Sequence, residues 1–161
     1  MESYILLGIL LGLPVALGVI FRISAPNLFF SIMAGELLAR YFGEEAELIN
    51  SSLTKSADAA MYSHLIVLLM PVVLTCLFLR NSVSRSKTIL NIIPLAVTGV
   101  VFAAFALPIL PYTLQNAIKS TELGNQFASM DSLVVGVVVI FQLIALWLMN
   151  LTGSHGKGHK K

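Results

Sequence analysis

Charged residues are what this sequence has least of. Aspartate, glutamate, lysine and arginine make up only 11% of its 161 residues, whereas 57% are hydrophobic and the mean hydropathy is +0.90. A soluble domain of this size carries about 25% charged residues, because its surface must face water. The composition therefore argues against an ordinary water-soluble domain and predicts an outer surface that faces lipid.

Cysteines and basic clusters are also nearly missing. The one cysteine, Cys76, lies within an apolar run, so no intramolecular disulfide and no cysteine-based zinc cluster is expected. The sequence also lacks a long Lys/Arg run, which is the pattern that indicates nucleic-acid binding. The sequence motifs of phosphate-binding loops, helical metal sites and nucleophile elbows are not found either. We therefore predict a protein that is not an enzyme and that uses no metal or cofactor.

Long apolar runs are what the sequence does contain. A helix needs about 20 apolar residues to cross a hydrocarbon core of about 30 Å. We predict an all-α fold: a polytopic helical integral membrane protein, built as a bundle of four or five transmembrane helices within one domain, 1–151. Residues 152–161 are glycine-rich and basic, and we expect a disordered cytoplasmic tail there. The predicted spans are 4–21, 26–42, 59–79, 89–110 and 133–151.

The run 26–42 is the ambiguous one. Pro26 and Asn27 are typical of a helix start, but the apolar stretch that follows is short and is interrupted by Glu36. Glu36 and Arg40 stand four residues apart, so they share one helix face and can form an ion pair. Either the segment is a short span whose charged pair faces protein or the outer interface, or it lies in the interface.

The distribution of basic residues favours five crossings. The turn after the third run carries Arg80, Arg85 and Lys87 without any acid, and the tail carries three more lysines. The positive-inside rule places both regions in the cytoplasm. Five spans put seven of the ten lysines and arginines inside, whereas four spans put six there. We therefore predict an N-terminus outside and a C-terminus inside, in a bacterial-type cytoplasmic membrane, with a retained first segment rather than a removable signal peptide.

Two outer loops follow from this topology. The first runs from Arg40 to Asp58 and the second from Pro111 to Met130. The second places Leu114, Ala117 and Ile118 at helical spacing, which predicts a short helix lying on the membrane surface.

Small residues at four-residue spacing predict where helices pack. Gly8, Gly12 and Ala16 form one such ladder, and Ser31, Gly35 and Ala39 form another. Such faces let helix backbones approach closely in lipid. We expect the two ladders to dock on each other as an antiparallel hairpin. The alternative is a homo-oligomer interface through Gly8 and Gly12.

Few polar side chains lie at membrane depth. Glu36, paired with Arg40, is the best candidate for a functional group, although a structural ion pair is the plainer interpretation. His64 is predicted near the outer headgroups, where a histidine needs no special role, and a pH-sensing role is the alternative. Asn91 and Gln142 are expected to hold helices together rather than to bind a substrate.

Two family likenesses accompany these patterns. Residues 26–43, with Pro-x-Leu followed by Ala-Gly-x-Leu-Leu, resemble the early helices of cation–proton antiporters. The chain lacks the later intramembrane aspartates of those antiporters and is far shorter, so no residue role is carried over. An amphipathic second segment, a basic turn and a glycine-containing later span are similar in layout to the colicin V production family, and no residue is transferred from it either.

Two functions are compatible with the sequence. The first is a structural, accessory or assembly role in a membrane complex, with membrane lipid and either a second copy or another membrane protein as partner. The second is an oligomeric small transporter or channel subunit for ions or small solutes. The long spans carry no charged residue in their middle, which favours the first function.

Overall fold

A computed structural model describes residues 2–53, 59–83, 88–128 and 132–154. Within these ranges all regular structure is helical and no strand occurs. The described ranges contain seven α-helices: α1 (Glu2–Ile20), α2 (Ala25–Leu53), α3 (Ala59–Phe78), α4 (Thr88–Ala106), α5 (Tyr112–Lys119), α6 (Glu122–Ala128) and α7 (Ser132–Ser154). A 3₁₀ turn, Leu107–Ile109, continues α4.

Two of these helices are long and apolar enough to cross a membrane. They are Ala60–Phe78 and Leu90–Ile109, and the apolar parts of α1 and α7 are shorter, at Tyr4–Ile20 and Val135–Leu148. The core helix of a soluble protein is mostly buried. Here only 22% of the apolar window in Ala60–Phe78 and 44% of the window in Leu90–Ile109 is buried. Neither window is therefore mostly buried, and Ala60–Phe78 is the less buried of the two.

Each predicted run coincides with a helix to within a few residues, but two segments expected outside the helices differ. The expectation of a loop from Arg40 is wrong as far as Leu53, because α2 contains the run 26–42 and continues without a break to Leu53. The acidic segment 44–47 is therefore helical. At the other end of the chain, α7 extends to Ser154, and the rest of the expected disordered tail, 155–161, lies outside the described residues.

Helix α2 lies at the centre of the bundle. Its most extensive contact is with α3, and it also packs against α4 and α7. Gly35 lies against the backbone of Leu68, and Gly43 lies against the ring of His64. Since positions later in α2 meet positions earlier in α3, the two helices are antiparallel.

Helix α1 packs against α4 rather than against α2. Gly18 lies against the side chain of Leu95, and Gly99 lies against the backbone of Leu11. A Cβ atom at Gly99 would overlap the Leu11 carbonyl oxygen. This contact brings the two backbones close together, as small residues do between helices in lipid.

Three buried clusters form the core. The largest joins α1, α2, α3 and α4 and includes Leu28, Ile32, Leu68 and Leu95. A second lies around Phe29 and brings in α7, and a third joins Leu7, Leu107 and Ile118. In the third cluster α5 covers one end of the α1–α4 pair, so the short helix predicted in the second outer loop is present, with its Ile118 buried.

Candidate functional site

The connections at one end of the bundle are held together by a set of hydrogen bonds that we call the loop clamp. It comprises the turn 21–24 after α1, the turn 79–83 after α3, and the side chain of Asn91 in α4. Asn91 is 1% exposed. Its Nδ2 donates to the carbonyl of Ile23 and its Oδ1 accepts from the amide of Ala25, both at 2.8 Å. Asn91 therefore satisfies backbone groups at the start of α2, where helices leave amides without intrahelical partners.

The two turns of the loop clamp also bond directly to each other. The Asn81 amide donates to the Phe21 carbonyl at 2.8 Å, and the Val83 amide donates to the Arg22 carbonyl at 2.9 Å. The Ser82 hydroxyl accepts from the Ser24 amide at 3.2 Å and donates to the Arg22 carbonyl at 3.3 Å. These bonds tie together two stretches of chain that are about 60 residues apart in sequence.

Both turns use a backbone conformation that is rare for their residues. Arg22 has φ of +51° and Asn81 has φ of +64°. The Ile23 amide donates to the Gly18 carbonyl, which is the hydrogen bond of a Schellman helix end, and Arg22 occupies the left-handed position that glycine usually takes there. Ile23 and Val83, which follow the two left-handed residues, are buried and anchor the turns in the protein.

A second polar group lies between α4 and α7. The Gln142 side chain is fully buried, and its Nε2 donates to the Pro94 carbonyl at 2.9 Å and to the Thr98 hydroxyl at 3.1 Å. The Thr98 hydroxyl in turn donates to the same carbonyl at 2.9 Å. Among the buried side-chain atoms of the described residues, Gln142 Oε1 alone has no hydrogen-bond partner.

The predicted ion pair on α2 is present. Arg40 Nε donates to Glu36 Oε1 at 2.7 Å. The Glu36 side chain is 14% exposed, whereas that of Arg40 is 70% exposed. The pair therefore covers the carboxylate and leaves the guanidinium on the outside of the bundle.

His64 lies in the α2–α3 interface at the end of the bundle remote from the loop clamp. Its Nδ1 is 2.9 Å from the Ala60 carbonyl, and the Nε2 side of the ring lies against Gly43. The ring also lines an open pocket of about 460 Å³ formed with α3 and the 3₁₀ turn. Within the described ranges no group of three His, Cys, Asp or Glu side chains is arranged to hold a metal ion.

The two small-residue ladders do not dock on each other, which corrects the sequence prediction. Ser31, Gly35 and Ala39 are buried, but the close approach at Gly35 is to α3. Gly8, Gly12 and Ala16 are exposed, and a Cβ atom at Gly8 or Gly12 would meet nothing within 4 Å. The antiparallel hairpin formed by the second ladder is therefore α2–α3, and the ladder on α1 is unpacked.

Sequence reasoning found some of these groups and missed others. Asn91 and Gln142 hold helices together, as predicted from amides within apolar runs. The left-handed turn at Arg22 and the contact through Gly99 were missed, since neither has a local sequence signal. Arg80, expected to set topology, is exposed at the loop clamp. Three further residues of that analysis lie outside the described residues: Arg85, Lys87 and Asp58.

Comparison of the chain with family models, with characterised proteins and with solved structures found no match. The geometry of the chain itself therefore carries the functional argument.

Proposed function

We propose that this chain is a polytopic membrane protein that crosses the bilayer five times, with α1, α2, α3, α4 and its 3₁₀ extension, and α7 as the spans. Three observations support this placement. The loop clamp gathers the ends of α1 and α3 and the start of α2 at one end of the bundle. The 29 residues of α2 are about 43 Å long at 1.5 Å per residue. Large apolar side chains, Trp147 among them, are exposed along the outside.

The proposed placement of α2 in the membrane accounts for its mixture of apolar and charged residues. About 20 residues from Ala25 cross a hydrocarbon layer of about 30 Å, and the remaining turns, with their glutamates, extend beyond it on the outer side. Arg40 then lies close enough to the outer surface for its long side chain to reach the headgroups. The positive-inside rule assigns the loop clamp to the cytoplasmic side.

Within the membrane, we propose a structural or assembly role in which the chain binds another membrane helix. The observation that carries this proposal is the open ladder of Gly8, Gly12 and Ala16 on α1. In lipid, helices associate through close backbone approach at small residues, because burial of apolar area no longer drives association. Within the chain, Gly35 and Gly99 make close backbone contacts of this kind with neighbouring helices. We therefore propose the open ladder as the surface that binds one more helix.

Substitution at Gly12 tests this role. Gly12→Leu removes the close approach, and Gly136→Leu is a matched control because Gly136 on α7 is likewise exposed with nothing within 4 Å. We expect the protein, purified in mild detergent, to form a complex of fixed stoichiometry with itself or with a second membrane protein. Size and composition would be measured by light scattering and mass spectrometry. Gly12→Leu should dissociate the complex and Gly136→Leu should not. A monomeric wild-type protein, or a complex indifferent to Gly12→Leu, would contradict the proposal.

A transporter or channel subunit is the second candidate, and the position of Glu36 favours it. Glu36 is 11 residues into α2, about 16 Å along the helix axis and near mid-depth of the proposed span. Carboxylates at that depth often mark ion paths. Flux of protons or monovalent ions into proteoliposomes that is altered by Glu36→Gln would support this candidate. Proteoliposomes as tight as empty ones, from protein shown to be folded and oligomeric, would support the assembly role.

A further inference from the structure

The loop clamp brings two arginines together without a counter-charge. Arg22 and Arg80 belong to turns joined by backbone hydrogen bonds, Asn81 to Phe21 and Val83 to Arg22. Within the described ranges neither arginine forms an ion pair, since Glu36–Arg40 is the salt bridge found there. The sequence contains no acid from 3 to 35 or from 59 to 121, so neither turn nor the helix ends beside it supply one.

The backbone holds this charge in a fixed place. The turns are anchored by buried Ile23 and Val83 and crossed by the hydrogen bonds of Asn91 and Ser82. Arg22 is half-buried and Arg80 is exposed, and both belong to turns that are hydrogen-bonded to each other. Because the backbones of the two arginines are already tied together, an anion that contacts both does not have to bring two separate loops together on binding. Arginine also binds phosphate oxygens in a bidentate manner.

Two exposed apolar side chains stand at the helix ends that lead into these turns. Ile20 and Phe78 each precede one of the arginines by two residues, and they are 71% and 80% exposed. Exposed apolar side chains do not strengthen the binding of a free phosphate ion. They do strengthen the binding of a phospholipid, because its acyl chains can cover apolar surface while its phosphate binds the arginines.

We propose that Arg22 and Arg80 form a binding site for the headgroup phosphate of an anionic phospholipid, whose chains lie along Ile20 and Phe78. This inference rests on the proposed placement of the loop clamp at a membrane surface. It adds a lipid partner to the assembly role and is independent of the ladder on α1. Basic residues near a membrane surface each strengthen binding to anionic lipid about fivefold.

Native mass spectrometry of the detergent-purified protein tests this site. Phosphatidylglycerol and phosphatidylcholine would be titrated separately, and inorganic phosphate would be added in excess as a competitor. We expect phosphatidylglycerol to be retained more strongly, and inorganic phosphate not to displace it. The double variant Arg22→Gln/Arg80→Gln should weaken retention about twentyfold to thirtyfold. The control Lys119→Gln removes an exposed charge from α5, at the other end of the bundle, and should change nothing.

Two further variants keep the test decisive. Arg80→Gln alone leaves the left-handed turn at Arg22 untouched and should weaken retention about fivefold, even if the double variant is poorly folded. Gly12→Leu should leave retention unchanged, so failure of the assembly role and failure of the lipid site are separable. Equal retention of the two lipids, or a folded Arg80→Gln protein that binds phosphatidylglycerol like the wild type, would overturn the proposal. Displacement by inorganic phosphate would show an anion site without lipid specificity and would overturn it too.

Discussion

Replacement of Asn91 by alanine should destabilise the protein, because the asparagine side chain holds the backbone at the start of α2. The side chain makes two hydrogen bonds of 2.8 Å and is 1% exposed. Each bond contributes about 1 kcal/mol net, and a backbone group left buried without a partner costs about 1–3 kcal/mol. Hydrogen bonds between membrane helices measure somewhat less, about 0.6 kcal/mol on average. Because both bonds are lost while the Ile23 carbonyl and the Ala25 amide stay buried, we expect a loss of about 2 kcal/mol.

The assay is unfolding of the protein in mixed detergent micelles by increasing SDS, followed by far-ultraviolet circular dichroism. Asn116→Ala removes an exposed asparagine from α5 and serves as the control; surface changes of this kind stay within about 0.5 kcal/mol. Asn91→Leu keeps the branched shape and the number of heavy atoms of the side chain but not its polar atoms, so it leaves no cavity and should still destabilise the protein. A free energy of unfolding for Asn91→Ala within about 0.5 kcal/mol of wild type would refute the role of the loop clamp in holding the start of α2.

Three further predictions can be checked in the same assay. Gly35→Val should destabilise the protein by about 2 kcal/mol or more, because the added Cβ would overlap the Leu68 carbonyl oxygen. The control Gly8→Ala lies on an open face and should be neutral. Equal effects of the two substitutions would contradict the α2–α3 contact. Asn81→Ala should cost about 1 kcal/mol and Asn81→Gly almost nothing, since φ at this position is +64°; a harmless alanine would argue against the left-handed turn. Gln142→Leu should cost about 1 kcal/mol and make α7 more sensitive to protease; unchanged digestion would show that α7 does not depend on this amide.

The helices could be predicted because the length and apolar composition of each run can be read from the local sequence alone. Arg22 after α1 and Arg80 after α3 follow the apolar runs and lie within two residues of the helix ends. The exception is α2, where the charged and amide residues after Phe42 suggest a loop. Glu44, Glu45 and Glu47 are acceptable in a helix, and packing of α2 on α3 as far as Ser63 holds its later turns in place.

The partners of each helix could not be predicted from spacing alone. Two small-residue ladders, on α1 and on α2, carry the same signal, yet only the one with Gly35 is buried. The decisive contacts are between residues far apart in sequence, such as Gly99 with Leu11, and no local pattern distinguishes them. The loop clamp was equally hard to predict. Asn91 was recognisable as a polar residue within an apolar run, but its backbone partners lie in a turn nearly 70 residues earlier.

The five-span placement of α2 is the central claim, and cysteine labelling tests it most directly. In a Cys76→Ala background, single cysteines at Ser24, just before α2, and at Ser52, on an exposed position near its end, would be treated with a membrane-impermeant maleimide in sealed vesicles of known orientation. We expect the two positions to be labelled from opposite sides of the membrane, with Ser24→Cys labelled on the cytoplasmic side. Labelling of both positions from the same side would contradict it.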